Sequence, residues 1–187
     1  MLDFKAKSNK PIANRQIMRT FKVIFNTIRS MSFTKILKLL SAVLPHPLFS
    51  ILSFYATVKA FSIAQNLYPK TASKNGEGNA FRHSLWCCFI LMYCSKISSP
   101  EKALNFCKKI TDLHEELFPN EPLETKMDLH NNKTGMDYFM ELLPGIHRQF
   151  FEKSFFIEEL QKKTANAKIL KNLNDDFAGE LVYLDEK

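Results

Sequence analysis

The chain has 187 residues, 45% hydrophobic and 24% charged, which allows one domain with a sizeable core and excludes a disordered or fibrous protein. Five glycines against seventeen phenylalanines argue against a turn-rich β fold and for helices. The net charge of +7 belongs to the front of the chain: residues 1–60 hold ten Lys or Arg against one acid, Asp3 (net +9), whereas residues 61–187 hold sixteen bases against eighteen acids (net −2).

Residues 1–11 are polar and basic and end at Pro11, as a flexible leader would. They do not look like a signal peptide, because no compact apolar stretch with a small-residue cleavage site follows. From Ile12 to Arg29, apolar Ile17, Phe21, Ile24, Phe25 and Ile28 recur at helical spacing among Arg15, Arg19, Lys22 and Arg29. Ser32 is placed to cap a helix over 33–44, which Pro45-His46-Pro47 breaks. A longer helix is predicted over 48–67, ending before Pro69 and a polar loop. Residues 39–58 carry no charged side chain apart from His46, so they are long enough to span a bilayer. The prolines near their middle and the scattered Ser and Thr favour two buried or interfacial helices instead.

A helix over 79–96, apolar nearly all round, should be central. The next opens on Ser99-Pro100-Glu101 and runs to Phe118. A loop rich in Pro and Glu should follow, with a turn over 131–135 in which Gly135 is able to take a left-handed conformation. Helices over 136–143 and 146–173 complete the prediction, and the acidic tail is expected to be frayed or a short edge element. The expected architecture is all-α: a single-domain bundle of about six or seven helices. It divides into a leader (1–11), a basic amphipathic helical segment (12–47), a helical core with a polar site (48–174) and an acidic tail (175–187). Cys87, Cys88, Cys94 and Cys107 form no C-x-x-C pair and read as small core residues, which favours a reducing compartment.

Polar residues at the head of the apolar helix carry the functional signal. Asn79, Arg82, His83 and Trp86 share a helix face by i, i+3 and i+4 spacing. Arg82 suits a carboxylate or phosphate, and His83 suits a metal, a proton or a buried hydrogen bond. His114 and Glu115 are adjacent on the next helix, pointing about 100° apart, so one faces a site squarely and the other supports it. In an extended stretch, Asp128 and His130 point to the same side, with Asn131 and Asn132 to fix a substrate or tie a turn. The predicted catalytic set is His83, His114, Glu115, Asp128 and His130, with Arg82, Asn131 and Asn132 as substrate-binding residues. His83, His114, Asp128 and His130 are the candidate ligands of a divalent metal, with Glu115 as base. A metal-free arrangement is equally constructible, with His83 as base, His114 or Asp128 orienting it and Arg82 with Asn132 holding an anion. These sets point to a hydrolase of a phosphoester or ester, and the basic, apolar front suits a lipid-like substrate. The competing expectation is a non-catalytic, membrane-peripheral interaction module whose polar cluster is a structural hydrogen-bond network.

Asn75 to Trp86 with Ala80, Phe81, Arg82 and His83, then His114-Glu115, then Met127 to Asn132 with Gly135, resemble the motifs of an uncharacterised bacterial domain family of unknown function. Its related sequences look like toxin or effector modules, and the resemblance implies a hydrolytic or other degradative activity. For this chain the expectation is a bacterial cytoplasmic protein, peripheral to the inner membrane through its basic front, with insertion of 39–58 the less favoured alternative. Residues 12–60 are the expected contact with an anionic membrane surface or an acidic partner. No specific nucleic-acid binding is expected, because no such motif is present.

Overall fold

Sixteen of the twenty-one residues of the helix Glu77–Ile97 are buried, from Gly78 to Ser95, so the rest of the chain must wrap it. The computed structural model describes residues 10–185, with the backbone alone over 10–16. The expected leader lies outside the described residues except for Lys10 and Pro11, which open the first helix. Among the described residues there are seven α-helices: α1 Lys10–Arg29, α2 Phe33–Val43, α3 Pro47–Leu67, α4 Glu77–Ile97, α5 Pro100–Leu117, α6 Pro122–Leu142 and α7 Lys153–Ala165. The protein is a single all-α domain. A short 3₁₀ turn, Arg148–Phe150, precedes α7, and β1 Lys168–Ile169 pairs in parallel with β2 Val182–Tyr183.

Local chemistry sets the helix starts. Ser32 caps α2 by accepting from the Lys35 amide at 3.4 Å, and Ser99 caps α5 by accepting from the Lys102 amide at 3.3 Å. α3 brings Ala56, Ala60 and Ala64, spaced four apart and almost fully buried, into the core it shares with α4. Small side chains at that spacing let two helices approach closely. α3 is long and apolar enough to cross a membrane by length and composition, and 33% of its most apolar window is buried. The uncharged stretch 39–58 is not one helix: the Pro45–Pro47 corner divides it between α2 and α3.

Two predicted boundaries are corrected. The expected loop before residue 131 and turn over 131–135 are helix throughout, since α6 runs unbroken from Pro122 to Leu142. Pro122 opens it, and the Glu121 amide donates to the Glu124 carboxylate at 3.3 Å. Gly135 is not left-handed; Gly179 alone has a positive φ among the described residues. The expected helix over 146–173 shortens to α7, because buried Phe151 takes an extended conformation (φ −62°, ψ 131°). There its ring packs on Phe139 at 4.8 Å and Phe156 at 5.6 Å between centroids. Beyond Asn166 the chain turns into β1. The four cysteines are free and buried, as core residues.

Candidate functional site

Three helices meet at the head of α4. His83 comes from α4, Glu115 from α5 and Asp128 from α6; all three are buried, and one ligand atom of each lies within 4.8 Å of the others. The His83 Nε2 atom is 3.4 Å from Asp128 Oδ1. Arg82 Nη2 donates to Asn79 Oδ1 at 2.9 Å and lies 3.0 Å from His83 Nε2, with its guanidinium 5.7 Å from the centre of the Phe61 ring. Asn132, one helical turn beyond Asp128, places Oδ1 at 3.1 Å from His83 Nδ1 and accepts from the Cys87 thiol at 3.5 Å. That network assigns the imidazole proton to Nδ1 and leaves the Nε2 lone pair toward Arg82 and Asp128.

The electrostatics follow from burial. Burial, with the charge of Arg82 and nearby His114, holds His83 well below the usual histidine range, so it is neutral. His114 is pushed down to about 4, first by burial and then by Arg82. Glu115 is raised to about 7 by burial and by the charge of Asp128, against the opposing pull of Arg82. Asp128 is raised to about 6, chiefly by burial, while Arg82 and a hydrogen bond from Asn120 at 3.3 Å pull the other way. Both oxygens of Glu115, Oδ1 of Asp128 and Nδ2 of Asn132 are buried with no hydrogen-bond partner. Leaving such groups unpaired is costly, so they suit an occupant with its own charge and hydrogen-bonding capacity. One imidazole and two carboxylates are a donor set that can hold a divalent ion, and the Nδ1–H bond to Asn132 is the kind of outer contact that orients a ligating histidine.

An apolar cleft of about 310 Å³ ends on this cluster. Val23, Ile28, Leu39, Phe54 and Phe118 are among its walls, and Arg82, His83 and His114 are its polar residues together with Thr27 and Thr57. His114 stands 6.2 Å from His83, 5.4 Å from Trp86 and 5.2 Å from Phe118 between ring centroids. Trp86 donates its indole N–H to Thr57 at 2.9 Å. The 100° step between His114 and Glu115 therefore sends one into the cleft and the other into the buried cluster.

The structure gathers His83, Glu115, Asp128, Arg82 and Asn132, sets His114 beside them, and places His130 and Asn131 elsewhere. On a helix Asp128 and His130 point about 200° apart, and the expected extended stretch that would align them does not exist. His130 Nε2 is 2.9 Å from the Glu180 carbonyl. Asn131 donates to the Val182 carbonyl at 2.8 Å and accepts from the Val182 amide at 3.0 Å, so it serves β2 as a neighbouring strand would. His130 is thus a correction to the expected ligand set and Asn131 to the expected substrate contacts, while Glu115 enters the ligand group in place of His114. Asn120, Cys87 and Phe61 were not foreseen; their only signal is position, because each acts through tertiary contact. Lys133 and Asp137 pair on the surface.

Over residues 40–168 the chain matches the family described as Domain of unknown function (DUF6973), and it belongs to that family. No curated protein and no solved structure matches it.

Proposed function

We propose that this chain is a hydrolase of an amphiphilic ester or phosphoester. The observation that carries the reading is the junction of an apolar cleft with a buried His, Glu, Asp and Arg cluster in which both Glu115 oxygens and Asp128 Oδ1 have no hydrogen-bond partner. The cleft receives the apolar part of the substrate, and Arg82 faces its acyl or phosphoryl oxygen. Substrate binding draws the guanidinium onto that oxygen and releases His83 Nε2. His83 then takes a proton from water as the water oxygen bonds to the carbonyl carbon or phosphorus. The imidazolium is stabilised by Asp128, 3.4 Å away. As the ester C–O or P–O bond breaks, the same proton passes to the leaving alcohol. Asn132 keeps His83 in the required tautomer. His83, Glu115 and Asp128 would hold a divalent ion in a metal-assisted version, and such an ion supplies an acidified water.

A purely structural network is the weaker account, because such a network stabilises a fold only when its buried members are satisfied. The test is an assay of purified protein on nitrophenyl esters and phosphodiesters, with elemental analysis and with Mn²⁺ or Zn²⁺ added. Turnover should fall by about 10²–10⁴-fold in His83→Gln and Asp128→Asn, the range of a lost general base, with circular dichroism unchanged. A folded wild-type protein inert on every ester and phosphoester class, with and without metal, sinks the reading.

A further inference from the structure

Helices α1, α2 and α3 each turn an apolar stripe to solvent. On α2 and its C-cap, Phe33, Leu37, Leu40 and Leu44 lie within about 60° of one another around the helix and are 73%, 49%, 40% and 68% exposed. Of nineteen large apolar residues exposed among the described residues, fourteen lie between Met18 and Leu67. Exposed apolar side chains at such density mark an interaction surface, whereas scattered ones need no account. The stripes adjoin: Phe21 of α1 meets Phe54 of α3 at 5.5 Å between ring centroids, and Leu44 and Leu48 flank the corner between α2 and α3.

Charge selects the occupant. Arg19, Lys22 and Arg29 are exposed on α1, and their helical positions fall along one flank of the stripe made by Met18, Phe21, Phe25 and Ile28. Residues 1–60 carry net +9 while the remainder carries net −2. A second copy would bring the same cations against these, so self-association is opposed by charge. A helix with an apolar stripe flanked by Lys and Arg is suited to lie in the plane of an anionic interface. The apolar cleft is walled by these same helices, through Val23, Ile28, Leu39 and Phe54.

We infer that the exposed face of α1–α3 docks on an anionic lipid bilayer. Docking sets the cleft beside the acyl layer, so that a lipid chain enters it without crossing water; this consequence rests on the proposed hydrolase reading, whereas the docking does not. α3 stays packed on α4 through its alanine face, so attachment is peripheral.

The full chain is sedimented with vesicles of phosphatidylcholine alone and of phosphatidylcholine with about one third phosphatidylglycerol. Binding should be confined to the anionic vesicles and weaken with added salt. It should drop by about tenfold or more in Lys22→Gln/Arg29→Gln, because each basic residue near such a surface contributes roughly fivefold. Leu37→Glu/Leu44→Glu, at two positions that do not line the cleft, should lose binding while keeping its helical circular dichroism. Glu115→Gln should bind as wild type does, so a failed hydrolase reading leaves this result standing, and a failed docking leaves the assay on soluble esters standing. Equal binding to neutral vesicles, no binding to either, retention in the membrane after alkaline extraction, or a dimer broken by Leu37→Glu/Leu44→Glu would each overturn the inference.

Discussion

Glu115 and His114 are neighbours in sequence and sit in different surroundings, and their protons follow. Glu115 has no partner for either oxygen, and burial raises it from 4.5 to about 7. Between those values the native protein holds a proton that the unfolded chain has lost, so the native state binds more protons and stability falls as pH rises. The contribution is full below about 4.5 and lost as pH passes through about 7. The neutral histidines act oppositely, but only below 6.5, and they are common to wild type and variant. In metal-free buffer Glu115→Gln should therefore gain on wild type between pH 5 and pH 8. Melting temperatures of both proteins at the two pH values measure it. A relative gain of about 2 °C or more is expected, since a domain of this size shifts by about 2–4 °C per kcal/mol. A gap that stays constant with pH would mean that Glu115 is ionised at no cost, and its burial would then have no electrostatic consequence.

Helix α4 crosses α6 most closely at Ser84, and that crossing explains a glycine. A Cβ built on Gly135 would lie 2.4 Å from the Ser84 carbonyl oxygen and 2.7 Å from Ser84 Cα, both backbone atoms that cannot turn aside. Ser84 Oγ donates to the Asn131 carbonyl at 2.8 Å across the same crossing. Gly135→Ala should improve intrinsic helix propensity by about 1 kcal/mol, yet overpacking a helix crossing costs about 1–3 kcal/mol and more against backbone. The clash should win, lowering the melting midpoint by several degrees in denaturation of the variant and separating His83 from Asp128; an unchanged or raised midpoint would refute so close a crossing. The same segment marks what the sequence reveals. α4 and α5 are legible, one from its all-round apolarity and the other from Ser99-Pro100-Glu101. α6 is not, because Asp128, Asn131 and Asn132 have turn-forming chemistry, and their hydrogen bonds go to other elements rather than to a local turn. Two signals for the helix were present: Pro122 with Glu124 at its start, and the helical recurrence of Asp128, Asn132, Gly135 and Phe139. Of the candidate site, Arg82 and His83 were readable as polar residues heading a buried helix, and Glu115 as one of an adjacent His-Glu pair in the last turn of α5. The separation of Asn131 from Asn132 and the loss of His130 depend on the helical 100° step, which an extended reading conceals.

At the scale of the molecule, the acidic end of the chain closes what the basic front leaves open. β2 ties three distant parts together. Its Val182 backbone is held by Asn131 of α6, the Lys168 amide donates to the Leu181 carbonyl at 2.8 Å, and the Leu184 amide donates to the Asn75 carbonyl before α4 at 2.8 Å. Beneath it, Val182 shares a small apolar cluster with Met127 and Leu170. None of these contacts touches Arg82, His83, Glu115 or Asp128, so the tail supports the site by holding α6 in place. Removing residues 178–187 exposes Met127 and Leu170 and deprives Asn131 of both partners. A buried group left unsatisfied costs about 1–3 kcal/mol, so two of them with the lost apolar cover amount to a large share of a typical stability of about 5–15 kcal/mol. The truncated chain should retain its helical signal at low temperature and melt about 10 °C or more below the full chain, by circular dichroism at 222 nm. Melting within about 3 °C of the full chain would show that α6 is fixed by α4 alone. The Ser84–Gly135 crossing would then suffice to place Asp128 and Asn132 against His83.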